Sequence, residues 1–514
     1  MSKQYESTWD SLSRHQTPQW LKDAKLGIYT HWGPYSVPAY GTNGSWYPHN
    51  MYIKGTDAYN HHRRTYGPQE KFGYKDFIPM FTAEKFDADE WVELFKNTGA
   101  KFAGPVAEHH DGFSMWDSKV NSKWNAAKMG PKRDIVGQLR DSVRANEMKF
   151  VTTFHHAFQW YFFPTWDKTL DCGNPEYRDL YTGPHGEGEN DILRHKEAEI
   201  LANPFLKADN EHSANRSRSV AFANRHGQHQ RPNKWFLDRW LKKLIEVTDN
   251  YQPDLMWFDF CLSKIEDSYR REFVAYYYNK GVEWGRDVDI LYKESPANNF
   301  NLPPGAGTLD LEVGNLSSLS PNVWVTDTSV DTSSGKAAGW SHVTHLGFKS
   351  GERLVHNLID VVSKHGVMLL NVGPRADGSI PERAQVTMRE LGAWLEINGE
   401  AIYGSVPWIT SGEGPTVNVN NGHFAEENEP RFTAVDFRFT TKGRNLYAIC
   451  MGQPGDESIV CTMALLYQEE VKSVTLLGKE NRPLKWKLTE DGLHIQLPTD
   501  MPYQHAYVYR IEHI

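Results

Sequence analysis

The feature that most limits the folds open to this chain is a repeating unit. A short strand-like run ends in polar residues, and an amphipathic stretch often follows. Eight such runs are present: Leu26–Thr30, Phe102–Ala107, Phe150–Phe154, Leu255–Phe258, Asp289–Tyr292, Leu309–Leu311, Val323–Val325 and Met368–Leu370. Several are apolar throughout rather than alternating, as expected of strands covered on both faces. Helical patterns lie between many of them, at Ala88–Asn97, Arg133–Ala145, Trp235–Thr248, Tyr269–Tyr278, Glu352–Lys364 and Ala384–Ile397. Strand–helix alternation over eight strands predicts an α/β fold, a (β/α)8-like TIM barrel. Leu309–Leu311 and Val323–Val325 lie too close together for a long helix between them. The barrel is therefore expected to be irregular late in the chain, with helices missing.

The residues that follow the runs carry the functional signal. They are His31, then Glu108-His109-His110-Asp111, His155-His156, Asp259, Lys293-Glu294, Glu312, Asp327 and Asn371. In a barrel all of these open onto the rim where active sites are built. Strand ends are commonly polar, but that explains one or two such positions rather than eight in succession.

From about Thr410 the texture changes to alternating segments separated by turn residues, such as Phe432–Phe439, Leu446–Met451, Ser473–Leu477, Leu493–Leu497 and Ala506–Ile511. This predicts a C-terminal antiparallel β-sandwich. The expected division is a catalytic barrel over residues 1–408, with an insertion around 172–233, and a β-sandwich over residues 409–514. Cys450 and Cys461 could face each other on adjacent strands of that sandwich; four free thiols are the other reading. The stretch His212–Lys234 holds five Lys/Arg and no Asp/Glu. It is either a solvated surface insertion or a rim loop that meets an anionic or branched substrate.

Composition narrows the function. Lys+Arg number 56 against 65 Asp+Glu, a net charge of −9, which excludes a globally basic nucleic-acid binder. No long uncharged apolar run is present, so no membrane span is expected. The N-terminus has no charged-then-apolar leader; a secreted or periplasmic protein whose signal was removed is favoured over a cytoplasmic one. Aromatic residues make up 13% of the chain, with 18 Trp, and aromatic faces suit sugar sites.

Asp259 and Glu312, each at a strand tip, are the best catalytic pair. Glycoside hydrolysis needs one carboxylate to attack the anomeric carbon and another to exchange a proton with the leaving oxygen. The histidines also permit a metal reading. However, no HExxH or CxxC occurs, and adjacent histidines on an extended segment point in different directions. No metal and no cofactor are expected.

The segments KLGIYTHWGPYSVPAY with SWYPHNMY, EHHDGFSMWDSKVNSKWNAAKMGPKRDIVGQL, PDLMWFD, LIDVVSKHGVMLLNVGPRADGSIPE and GAWLEINGEAIYGS resemble the glycoside hydrolase family 29 α-L-fucosidases. The resemblance runs in order over Trp20–Trp408, apart from the insertion. It implies retaining hydrolysis of terminal α-L-fucose on a fucosylated glycan without a cofactor, and with the basic stretch His212–Lys234 the expected substrates extend to sulfated, fucoidan-like fuco-oligosaccharides. It also assigns residues. Asp259 matches the nucleophile position, and Trp257 lies on the same strand. His31 and Trp32 match the first sugar-binding segment, and His109 and His110 the paired histidines that hold fucose hydroxyls. Trp46 and Tyr47 lie in the family's EWY segment, and His155 and His156 where the third strand enters the pocket. Trp340 resembles the tryptophan of the family's SWGY, whose indole packs on the methyl end of fucose.

Two departures stand out. Ser45 replaces the Glu of EWY, and the third-strand block reads FHHAFQW. The match at Glu312 is loose, and Asp327, Glu294 and Glu108 are the other candidates for the acid/base. A fucose-binding protein without activity, an α-L-galactosidase and a transfucosidase are the competing functions. Oligomeric state stays open.

Overall fold

The computed structural model describes residues 4–183, 231–293, 302–333, 337–345, 347–416, 421–428, 431–465, 467–478, 480–501 and 504–513. Eight parallel strands close into a barrel: β1 (Leu26–Thr30), β2 (Phe102–Glu108), β3 (Lys149–Phe154), β4 (Leu255–Phe258), β5 (Asp289–Lys293), β6 (Thr308–Asp310), β7 (Trp324–Ser329) and β11 (Gly366–Val372). Strand β11 closes the ring by pairing with β1, Leu26 opposite Met368. Four residues expected just beyond strands lie inside them: Glu108, Lys293, Asp327 and Asn371.

Strand parity sorts the barrel into two cores. Successive side chains of a strand point to opposite faces. Tyr29, Val151, Trp257, Leu291, Val325 and Leu369 belong to one buried cluster, which fills the barrel. Ile28, Phe150, Met256, Ile290 and Met368 belong to a second, packed beneath the surrounding helices. Glycine is required at one inward position. A Cβ on Gly27 would lie 2.2 Å from the Phe102 ring, which occupies the barrel floor there.

The helices Ala88–Asn97, Ile135–Ala145, Lys234–Tyr251, Asp267–Trp284, Gly351–Ser363 and Glu382–Asn398 surround the strands. The helix Ala88–Asn97 shows why they begin where they do: Asp87 caps it by accepting the N–H groups of Asp89 and Glu90. The wall is thinnest at β6. This strand has three residues, meets β7 at the single register pair Asp310 and Val325, and is joined to it by residues 311–323 without a helix. Between β7 and β11 lies a small sheet of β8 (Asp331–Ser333), β9 (Ala337–Ala338) and β10 (Gly347–Phe348).

The C-terminal part forms two antiparallel sheets. One has the order β12-β13-β14-β20-β16-β17, from Val406–Glu413, Phe437–Lys442, Asn445–Cys450, Tyr507–His513, Val471–Leu476 and Arg482–Pro483. The other has the order β15-β19-β18, from Glu457–Val460, Gly492–Gln496 and Lys485–Thr489. Phe439, Leu446, Ile495 and Tyr509 pack between them. The sheets are tied to the barrel through Asp360, which accepts from Arg438 Nε at 2.5 Å and Lys364 Nζ at 2.6 Å, all three buried. Cys450 and Cys461 are unpaired, as are Cys172 and Cys261. The Cys450 thiol instead donates to Ala434 O at 3.2 Å.

Candidate active site

Continuing each strand's inward parity by one step places His31, His155, Asp259, Lys293, Asp327 and Asn371 at the carboxyl end of the barrel. Asp259, 7% exposed, lies at the centre of this group. Its Oδ2 accepts from His155 Nδ1 at 2.9 Å and faces His110 Nε2 at 3.4 Å. Its Oδ1 lies 3.2 Å from Lys293 Nζ. Burial alone would raise the carboxyl pKa; the Lys293 ammonium first and the His155 contact next instead hold it well below the usual carboxylate range.

Lys293 is the hub of the site. Its Nζ also lies 3.2 Å from Glu312 Oε2 and 3.2 Å from Asp327 Oδ2, and 4.6 Å from the centre of the Trp257 ring. Burial pulls its pKa down, but Asp327, Glu312, Asp259 and Asp310 outweigh it and drive it well above the usual value. The contact oxygens of Asp259 and Glu312 are thus no farther apart than twice 3.2 Å. Beneath the hub, Trp257 Nε1 donates to Asp310 Oδ2 at 3.0 Å, and Tyr29 Oη donates to Asp327 Oδ2 at 3.0 Å. Burial and then the charge of Asp327 push Asp310 well above the carboxylate range. Burial pushes Asp327 up to about 6 against the pull of Lys293.

The opposite wall is imidazole. His31 Nδ1 lies 2.9 Å from Asn371 Oδ1. The Asn371 amide nitrogen donates to Ser329 Oγ and Trp340 O, so its oxygen is the acceptor and His31 Nδ1 carries the hydrogen. His110 Nδ1 donates to His155 O. Burial first, and neighbouring histidines next, push His31 and His109 well below the usual imidazole value. Burial lowers His155 to about 4 despite Asp259. His109 Nδ1 and His155 Nε2 are buried with no hydrogen-bond partner among the described residues. Trp340 lies 5.4 Å from the His31 ring and half-buried Trp46 lies 5.5 Å from that of His110.

Donor atoms of His31, His109 and His155 lie within 4.8 Å of one another, as do those of His110, His155 and Asp259. These are the ligand types a metal would use. The second trio is already engaged, its histidines facing one carboxylate oxygen. The first offers three neutral imidazoles of the kind that exchange hydrogen bonds with hydroxyl groups.

Three expected sugar contacts lie elsewhere. Trp32 has outward parity; it packs on Phe81, Phe86 and Trp91 and donates to Arg375 O at 2.7 Å. His156 is likewise outward and stacks on Trp240, 5.8 Å away. Tyr47 is buried, with its hydroxyl 3.2 Å from His62 Nδ1 and its ring against Phe77. Among the other candidate acids, Glu108 is turned outward by an irregularity in register after Val106 and pairs with Lys243 Nζ at 2.5 Å. Glu294 and most of the basic stretch, including Arg216, Arg218 and Arg225, lie outside the described residues. Ser45 is buried and donates to Asn43 Oδ1 at 2.8 Å.

Sequence patterns place Lys293 and Asn371 on the active-site rim but give them no role, and they do not single out Asp310 and Tyr29 at all. His423 gives no local signal at all. Its Nδ1 accepts the N–H of Glu312 at 2.9 Å, across 111 residues of chain.

A closed parallel barrel with carboxylates gathered at the ends of β4, β6 and β7, beside a cationic hub, has the architecture of a glycoside hydrolase. Comparison with known proteins then narrows the class. The family model described as alpha-L-fucosidase matches residues 1–400, and that of the alpha-L-fucosidase C-terminal domain matches residues 431–512. The chain belongs to the α-L-fucosidase family of glycoside hydrolases.

An alpha-L-fucosidase of Branchiostoma floridae is 26% identical, covering 99% of this chain and 96% of that one. The plasma alpha-L-fucosidase of Homo sapiens is 28% identical, covering 96% and 88%. The solved structure of Thermotoga maritima alpha-fucosidase superposes with a TM-score of 0.72 at 26% identity, covering 99% and 100%. Among the described residues, no helix is long and apolar enough to cross a membrane.

Proposed function

We propose that the protein is a retaining exo-α-L-fucosidase that releases terminal α-L-fucose from glycans through an ester on Asp259. The observation that carries this is the placement of Asp259: deep on the barrel axis, held ionised, and sharing Lys293 with the more exposed Glu312. Retaining glycosidases keep their two carboxyl groups about 5–5.5 Å apart, while inverting ones need roughly 6.5–9.5 Å. The shared ammonium keeps Asp259 and Glu312 compatible with the shorter distance.

In the first step an Asp259 oxygen forms a bond to C1 of the sugar. The C1–oxygen bond to the aglycone breaks, and its electron pair takes the proton of Glu312. In the second step water attacks C1 and gives its proton to Glu312. The ester bond breaks, and Asp259 regains its charge. His31, His109 and His155 exchange hydrogen bonds with the sugar hydroxyls as neutral imidazoles. Trp340 and Trp46 pack on its apolar face. The near-complete burial of Asp259 among the strand ends suits a site that takes a terminal sugar.

The test is hydrolysis of 4-nitrophenyl α-L-fucoside followed by proton NMR. Retention predicts α-L-fucose as the first-formed anomer. The β-anomer first would refute the double displacement. Sugar binding with no release from any fucoside would favour a binding protein. A faster reaction on the L-galactoside would favour an α-L-galactosidase, and dominant transfer to an added sugar a transfucosidase.

A further inference from the structure

The acid/base loop is not held by the barrel alone. Past the short strand β6, Val313 adopts φ of 45°, a left-handed conformation that a β-branched side chain keeps only under constraint. The barrel supplies half of that constraint. Leu311 N–H donates to Val325 O at 2.9 Å, Val313 N–H to Asp327 O at 2.7 Å and Gly314 N–H to Thr326 Oγ1 at 3.0 Å.

The other half comes from residues 421–426, which lie in the chain between β12 and β13 in the C-terminal part. Gly422 N–H donates to Asn315 O at 2.8 Å, Phe424 N–H to Glu312 O at 2.7 Å and Glu426 N–H to Val313 O at 3.0 Å. A side chain completes the clamp: His423 Nδ1 accepts the Glu312 N–H at 2.9 Å. Because Nδ1 accepts, the imidazole is neutral and its hydrogen sits on Nε2. Burial, assisted by Lys293 and opposed by Glu312, lowers its pKa to about 4. The Nε2 atom is buried and has no hydrogen-bond partner among the described residues, so the hydrogen bonding of the ring rests on its bond to Glu312.

We propose that His423 is a positioning residue for the acid/base: by accepting the Glu312 N–H it fixes the strained Glu312–Val313 turn and aims the carboxyl at the departing glycosidic oxygen. This rests on the reading of Glu312 as the acid/base. It gives the C-terminal part a role in the chemistry of the barrel. A carboxyl displaced by about 1 Å loses up to roughly 100-fold in rate, and only where a proton must be delivered.

The experiment compares kcat/KM, which reports ester formation, for phenyl and 2,4-dinitrophenyl α-L-fucosides. The first needs a proton on its leaving oxygen and the second does not. Wild type, His423→Ala, His423→Asn and Glu312→Gln are measured together, with circular dichroism to confirm folding. His423→Ala is expected to lose about 10- to 100-fold on the phenyl substrate and under about twofold on the dinitrophenyl one. His423→Asn, whose amide oxygen restores an acceptor near Nδ1, should recover most of the phenyl activity. Equal losses on both substrates, or none on the phenyl fucoside, would overturn the proposal provided Glu312→Gln still discriminates between them. If Glu312→Gln itself does not discriminate, the acid/base reading falls and the role of His423 falls with it.

Discussion

Asp259 and Glu312 approach the same ammonium from two different kinds of backbone. Asp259 ends a regular strand whose neighbours on both sides are in parallel register, Phe258 paired with Phe154 and with Tyr292. Its direction follows from strand parity, and its charge is set by fully buried partners. Glu312 stands on an irregular turn beside the weakest strand of the barrel. Its side chain is 21% exposed, and a distant segment clamps its backbone. The difference matches what each group has to do. A nucleophile must stay ionised and fixed in direction. An acid/base must exchange a proton with the leaving group and then with water, so it belongs at the mouth.

Mutation can break this contrast, and the largest effect should fall on the rigid side. Asp259→Gly is expected to lower kcat by about four orders of magnitude or more. Added azide should restore turnover of an α-fucosyl substrate with a good leaving group and give the β-fucosyl azide, identified by NMR. Glu312→Gln should lose about 10²–10⁴-fold on phenyl fucoside and little on dinitrophenyl fucoside.

Lys293→Met sharpens the comparison because both carboxylates lose one partner. The pKa of Asp259 is depressed, so its active ionised form persists as pH falls until the folded value is reached. Without the ammonium that value rises. The acidic limb of the kcat/KM profile should therefore move toward neutral pH, with a loss of about 100-fold on the acid side. An unmoved limb would show that Lys293 does not set the nucleophile's charge. The smallest effect is expected at His156→Gln, which should stay within about threefold of wild type in kcat/KM, because its ring lies outside the barrel.

The same contrast decides what the sequence can reveal. All eight barrel strands are legible as short runs, because burial on both faces leaves a nearly continuous apolar signature. The carboxyl-end location of the site follows from them. Parity goes further: from Tyr29 and Thr153 it places His31 and His155 inward, and Trp32 and His156 outward. Treating His31-Trp32 and His155-His156 as units misplaces one member of each, because an extended chain points neighbouring residues in opposite directions. Tyr47 departs from expectation for another reason. It lies in a short helix, Tyr47–Asn50, where strand parity has no meaning and packing on Phe77 and His62 decides its direction. The hub role of Lys293 depends on β4, β5, β6 and β7 bringing Asp259, Glu312 and Asp327 around it. The clamp on Glu312 spans a separation that no local pattern encodes.

The most direct test of the account is to trap the intermediate. The enzyme is incubated with 2-deoxy-2-fluoro-α-L-fucosyl fluoride, digested with protease and mapped by mass spectrometry. The account predicts one fluorofucosyl label, on the peptide containing Leu255–Phe258 and carried by Asp259. A label on Asp327 or Glu312, or turnover without any covalent species, would contradict it.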